Sequence, residues 1–174
     1  MLEYDESLVD RYGSYGISLI GEDVVRKEAS FSQRSNFEFI RNLVNHLIQT
    51  PDPMVVPVFR FETLEEDPPK TEGAWGTYKY AYEMKRLPKL SEAEKTIISR
   101  VIGHYKPVPT DTPDPTFQRY WKENSSLMEF MNKVLDDGNY TDLHSGNFLK
   151  DHDGSYRIID LEGFYKYPLI GNRQ

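Results

Sequence analysis

Tyr140-Thr-Asp-Leu-His-Ser-Gly-Asn147, followed by Arg157-Ile-Ile-Asp-Leu-Glu-Gly163, is the part of the chain whose residue types and spacing carry the most chemistry. Asp142 precedes Asn147 by five residues, and Asp160 follows Asn147 by thirteen. Between the last two lie a turn, Asp151-His-Asp-Gly154, and an apolar strand from Tyr156 to Ile159. That pattern predicts a hairpin, because a turn-forming cluster followed by a short apolar run folds a chain back on itself. A hairpin would bring Asn147 and Asp160 to the same end. An amide oxygen and a carboxylate there are hard oxygen donors of the kind that hold Mg²⁺.

The segment resembles the catalytic and metal-binding loops of the protein-kinase-like superfamily. Asp142-Leu-His-Ser-Gly-Asn147 is closer to the Asp-x-His-x-Gly-Asn form of aminoglycoside phosphotransferases and atypical kinases than to the eukaryotic form. It is also similar to the short protein kinases of lytic bacteriophages. The resemblance implies ATP and Mg²⁺ as cofactors, Asp142 as catalytic base, Asn147 as a metal ligand and Asp160 as the principal metal ligand. Asp160-Leu-Glu-Gly163 stands where the usual form has Asp-Phe-Gly, and Tyr140 where eukaryotic kinases carry histidine. His144 is expected to brace the catalytic loop; His104, His144 and His152 lack the spacing of a zinc site.

The order of elements upstream agrees with the resemblance. The expected fold class is α+β, a two-lobed kinase-like fold with a strand-rich N-lobe over residues 1–87 and a truncated helical C-lobe over 88–174, the change of character falling at Pro88. Gly13-Ser-Tyr-Gly16 reads either as a phosphate-covering turn, where glycine admits backbone amides close to oxygen, or as an ordinary hairpin turn. In a strand, Val25 and Lys27 face one side and Arg26 the other. The resemblance would put Val25 on the adenine and Lys27 on the α- and β-phosphates; the other reading of Lys27 is a solvated edge charge. Glu38 would pair with Lys27 from the first helix, or would close a capping box as Ser35-Asn-Phe-Glu38. Glu83, Met84 and Lys85 fall where the resemblance implies an adenine-binding hinge, and Tyr78, Tyr80 and Tyr82 just before them read as core.

Local signals set the remaining elements. Ile17 and Leu19, then Val24-Val25, predict two strands joined at Gly21-Glu22-Asp23. Phe37, Ile40, Val44 and Leu47 recur at helical spacing, predicting a helix from Asn36 to Gln49 stopped by Pro51 and Pro53. Strands are expected over Val55–Leu64 and Thr77–Met84, with an exposed turn from Glu65 to Gly73. Ser91-Glu-Ala-Glu94 is a capping box for a helix ending near Gly103. Asp114-Pro115 predicts a further helix to Leu135, weakened at Asn124-Ser-Ser and ended by Asp137-Gly138.

Composition bounds the partners. Apolar residues make up 38%, with 12 tyrosines and 9 phenylalanines, enough for an ordinary core. With 21 basic against 28 acidic residues and a net charge of −7, no large cationic face is available for nucleic acid. No cysteine is present, which removes disulfide partners and thiolate chemistry. The start of the chain lacks a secretory pattern and no 18-residue apolar run exists, so no membrane partner and a cytoplasmic location are expected, the host cytoplasm for a phage or effector protein. Only 11 residues follow Gly163, too few for the activation segment and peptide-docking helices of typical kinases. Three classes therefore stand: a compact Ser/Thr protein kinase docking on a protein substrate by its surface, a small-molecule kinase of aminoglycoside type, and a nucleotide-binding pseudokinase acting as an interaction protein.

Overall fold

The computed structural model describes residues 16–105, 122–137 and 140–164. The chain is α+β, and it divides after Leu87 into two compact units.

The first unit is a four-stranded antiparallel sheet with one helix on it. Strands β1 (Gly16–Leu19), β2 (Val24–Phe31), β3 (Val58–Asp67) and β4 (Thr77–Lys85) lie in the order β1-β2-β4-β3. The β1–β2 turn falls at Gly21-Glu22-Asp23 as predicted, with Leu19 opposite Val25. Helix α1 (Arg34–Gln49) buries Phe37, Ile40, Leu43, Val44 and Leu47. Phe37 stacks on Tyr78 at 5.5 Å and touches Tyr80 and Phe61. The tyrosine stripe is core, as its period of two on a central strand requires. Each of these large side chains contributes about 1.5–3 kcal/mol on burial.

Strand β3 runs three residues later than its hydrophobicity predicts. Pro57 has no N–H to give a ladder, so pairing starts after it, with the Lys85 N–H donating to the Pro57 carbonyl. At the other end Glu65, Glu66 and Asp67, expected in a turn, pair with Lys79, Tyr78 and Thr77, and Lys79 meets the Glu65 carboxylate at 3.1 Å. Pro68-Pro69 then ends the strand. Register slips between Val58 and Arg60 and between Thr63 and Glu65 leave Phe59 and Leu64 exposed.

In the second unit, helix α2 (Glu92–Tyr105) begins with the predicted capping box: the Glu94 N–H donates to Ser91 Oγ and the Ser91 N–H to Glu94 Oε1. It continues past Gly103, which costs a helix only about 1 kcal/mol relative to alanine. Helix α3 (Ser125–Asp137) follows a turn at Asn124, where the sequence predicts weakness, and buries Leu127, Met128, Met131 and Val134. The helix start expected at Asp114-Pro115 lies outside the described residues. Strands β5 (Phe148–Lys150) and β6 (Tyr156–Ile158) form the predicted hairpin, closed by Gly154 at φ 88°.

Among the described residues no helix is long and apolar enough to cross a membrane.

Candidate active site

The hairpin is fastened from two sides. Phe130 of α3 meets Phe148 edge-on at 5.8 Å and Tyr156 at 5.9 Å. The Tyr156 hydroxyl donates to Glu94 Oε2 at 2.7 Å, tying β6 to the first turn of α2. Burial alone would raise the Glu94 carboxyl, but the bonds from Tyr156 and Ser91 and the charge of Lys150 outweigh it and hold the group below its ordinary range. The same contact and burial push the Tyr156 hydroxyl up, so it stays a donor.

The open end of this hairpin carries the predicted residues. Phe148 lies opposite Ile158, and the Ile159 N–H donates to the Asn147 carbonyl at 3.0 Å. Asn147 and Asp160 are therefore brought to the same end of the ladder, Asn147 one residue beyond it and Asp160 two. Asn147 is 1% exposed, and its Nδ2 donates to the Asp142 carbonyl at 2.7 Å and to Asp142 Oδ2 at 3.0 Å. His144 Nε2 lies 3.5 Å from the same Oδ2. Asp142 Oδ1 has no hydrogen-bond partner among the described residues, and the side chain is 53% exposed.

Tyr140 joins the segment before Asn147 to the one after Asp160. Its hydroxyl donates to the Asp160 carbonyl at 2.9 Å, and it forms an isolated bridge with Phe164. Next to it, the Thr141 N–H donates to the Gly163 carbonyl at 2.9 Å. A Cβ on Gly163 would fall 2.5–2.7 Å from the Tyr140 ring, so this approach admits only glycine. Burial, then the negative charges of Asp160, Asp142 and Glu162, push the Tyr140 hydroxyl well above its ordinary range, against the opposing bond with Asn147. Among the described residues no group of three or more His, Asp or Glu side chains converges to hold a metal unaided.

In the first unit, Val25 and Lys27 share the buried face of β2, Lys27 at 5% exposure with Nζ 5.9 Å from the Tyr82 ring centre. A solvated edge charge is therefore the wrong reading of Lys27, which lies on a strand flanked by β1 and β4. Arg26 points the other way, to Glu62 at 3.0 Å and Glu28 at 3.3 Å. Those two bonds outweigh burial and raise its guanidinium further.

Glu38 takes neither of its expected partners. Gln33, extended at φ −112° and ψ 132°, is the N-cap of α1 and makes no side-chain cap bond, so the capping box at Ser35 does not form. With the helix starting at Arg34, Glu38 lies one turn on and pairs with Arg34 at 3.3 Å, half exposed. Gly13 lies outside the described residues; Gly16 is the first residue of β1, opposite Glu28. Glu83 and Met84 pair with β2 on one side and β3 on the other, and the Lys85 N–H is taken by Pro57. Backbone groups that are laddered on both sides have no edge to offer adenine. Glu83 instead directs its carboxylate at Arg26 and Arg60, 3.8 Å from each.

Two contributors escaped the sequence reading. Thr141 has no signal of its own, since Tyr-Thr before an aspartate is unremarkable loop sequence. Glu94 was legible as a cap, but its reach to Tyr156 joins residues 62 apart. Compared with known proteins, the chain matches no protein-family model and no curated protein.

Proposed function

We propose that the chain is an ATP- and Mg²⁺-dependent phosphotransferase of protein-kinase-like, two-lobed architecture, acting on a hydroxyl of a protein partner. One observation carries the reading: the β5–β6 hairpin brings Asn147 and Asp160 together while Asn147 is hydrogen-bonded to Asp142. The succession of a lysine strand, a helix, two strands and then helices supports it.

The donor set suits Mg²⁺. This ion takes one or two carboxylates plus substrate phosphates and keeps several waters, so it needs no three-carboxylate cage. Asn147 has its amide nitrogen on Asp142, which leaves the amide oxygen for a cation, and Asp160 would supply the carboxylate. When bound, the metal would neutralise charge on the phosphate oxygens.

The protein's own part is positioning and proton handling. Asp142 Oδ2 is held by Asn147 and faces His144, so Oδ1 is the atom that would accept or orient the acceptor's hydroxyl proton. As the hydroxyl oxygen bonds to the γ-phosphorus, the bond to the bridging oxygen breaks in line and ADP leaves. Lys27, held on a rigid central strand, would steady the α- and β-phosphates.

The test is phosphate transfer from γ-labelled ATP to the protein itself or to lysate proteins, beside Asp142→Ala. Loss of transfer with nucleotide binding retained supports the roles; equal turnover in the variant sinks them. Transfer only to small hydroxylated compounds would replace the protein acceptor with an aminoglycoside-type one.

A further inference from the structure

Strand β3 is an edge of its sheet. In the order β1-β2-β4-β3 it pairs with β4 on one side, and among the described residues no strand pairs with the other. Such an edge presents a row of backbone N–H and C=O groups to any strand that approaches. Each register slip inserts one extra residue, Phe59 and Leu64, and these two side chains are 50% and 43% exposed. Between them Arg60, Phe61, Glu62 and Thr63 pair with β4 without a break. Alternation sorts them by face. Phe61 faces α1, near Phe37 and stacked on Tyr80 at 5.7 Å, yet it is only half-buried because its strand is the last of the sheet. Arg60 and Glu62 lie on the other face with Arg26 and Glu83. Arg60 is 61% exposed and comes no closer than 3.8 Å to either Glu62 or Glu83, loose contacts that leave much of its charge in solvent.

We propose that this edge pairs with the same edge of a second copy of the chain, antiparallel, about a two-fold axis through Phe61. Identical strands paired antiparallel set one residue opposite itself, which leaves four registers over the unbroken segment. Centring on Arg60 or on Glu62 puts like charges directly opposite, which is destabilising. Centring on Thr63 sets Glu62 against Leu64 and Glu65 against Phe61, carboxylates against apolar groups. Centring on Phe61 gives charge complementarity twice: Arg60 lies opposite Glu62 of the second copy, and Glu62 opposite its Arg60. The same register brings the two Phe61 rings together on the α1 face and places Phe59 next to Leu64 of the second copy at both ends. Bulges and charges that guard the edge against other strands thereby restrict it to one partner and one register. A ladder this short falls below the roughly 1,200–2,000 Å² of a stable interface, so the dimer is weak, with Kd on the order of 10–100 µM. Nothing in this pairing depends on phosphotransfer.

The experiment is sedimentation velocity of the full chain from about 1 to 500 µM, as wild type, Arg60→Glu, Glu62→Lys, their equimolar mixture, and Phe59→Ser, with circular dichroism checking that each is folded. Wild type is expected to pass from monomer to dimer over this range. Each charge variant alone sets like charges opposite each other twice and is expected to raise Kd about tenfold or more. Mixed, the two variants present opposite charges at both pairs and are expected to form a dimer again. Phe59→Ser is expected to raise Kd severalfold, and it carries the test if Glu62→Lys, which faces Arg26, does not fold. A wild type that stays monomeric to the highest concentration would overturn the proposal, as would one that assembles beyond the dimer. So would Arg60→Glu associating as wild type does, or a mixture of two folded charge variants that stays monomeric.

Discussion

Asp142 has one carboxylate oxygen engaged by Asn147 and facing His144, and one without a partner among the described residues. That asymmetry is what a positioned base requires, since a carboxylate bonded at both oxygens would be a structural anchor. Asp142→Asn keeps the size and an oxygen for Asn147 but cannot take a proton. It is expected to lower kcat by about 10²–10⁴-fold, the usual contribution of general base catalysis, with nucleotide affinity nearly unchanged by calorimetry. Lys27→Met tests the other unit. Methionine keeps the apolar stem in a site that is 5% exposed and removes the ammonium, so ATP affinity by calorimetry is expected to fall while circular dichroism shows the chain folded. Retained affinity would remove Lys27 from the nucleotide. The residues Asp142, Asn147 and Asp160 were legible as a set because their spacing encloses a turn and an apolar strand, and short-range hairpin signals are among the strongest that sequence offers. Glu38 was not settled by sequence, because one carboxylate had two candidate partners and the helix start, Arg34 rather than Asn36, decided against both.

At the scale of elements, the β5–β6 hairpin is positioned by contacts at both ends. Its open end depends on the approach of Tyr140 to Gly163. Gly163→Ala would push a methyl into the Tyr140 ring and is expected to cost about 1–3 kcal/mol in denaturant unfolding, as overpacking does. A neutral outcome would mean that the two segments separate readily. The other end depends on Glu94, whose carboxylate serves as a cap and as acceptor for Tyr156. Glu94→Ala is expected to cost about 1–2 kcal/mol, from a lost cap box and a lost charged hydrogen bond. Because its carboxyl is held below the ordinary range, the charged form favours the folded state. That contribution is complete above the unfolded carboxyl range and lost as pH falls through the lower folded value. The gap in stability between wild type and Glu94→Gln should therefore narrow in acid; a gap that widens there would contradict this sign. Helix starts and strands were well marked in the sequence wherever a local device sets them, as at Ser91-Glu94. Strand β3 was misplaced at both ends because Pro57 and the pairing of Glu65 with Lys79 act through β4, which the run itself does not contain.

For the whole molecule, the α+β class and the change of character at Pro88 follow from the distribution of strand and helix signals. The expectation that Glu83, Met84 and Lys85 form an adenine-binding hinge does not follow from those signals. Glu83 and Met84 sit between two strands, a placement that only the sheet order β1-β2-β4-β3 determines. The proposed protein acceptor is equally outside local sequence, since docking by a whole surface would leave no motif. Phosphoryl transfer itself is the claim on which every role above depends. Its most direct measurement is incubation of the purified chain with γ-labelled ATP and Mg²⁺, alone and with lysate, beside Asp160→Ala. Label on the chain or on discrete lysate proteins, absent without Mg²⁺ and absent in the variant, is the expected result. Neither label nor Mg²⁺-dependent nucleotide binding in a folded wild-type protein would contradict it.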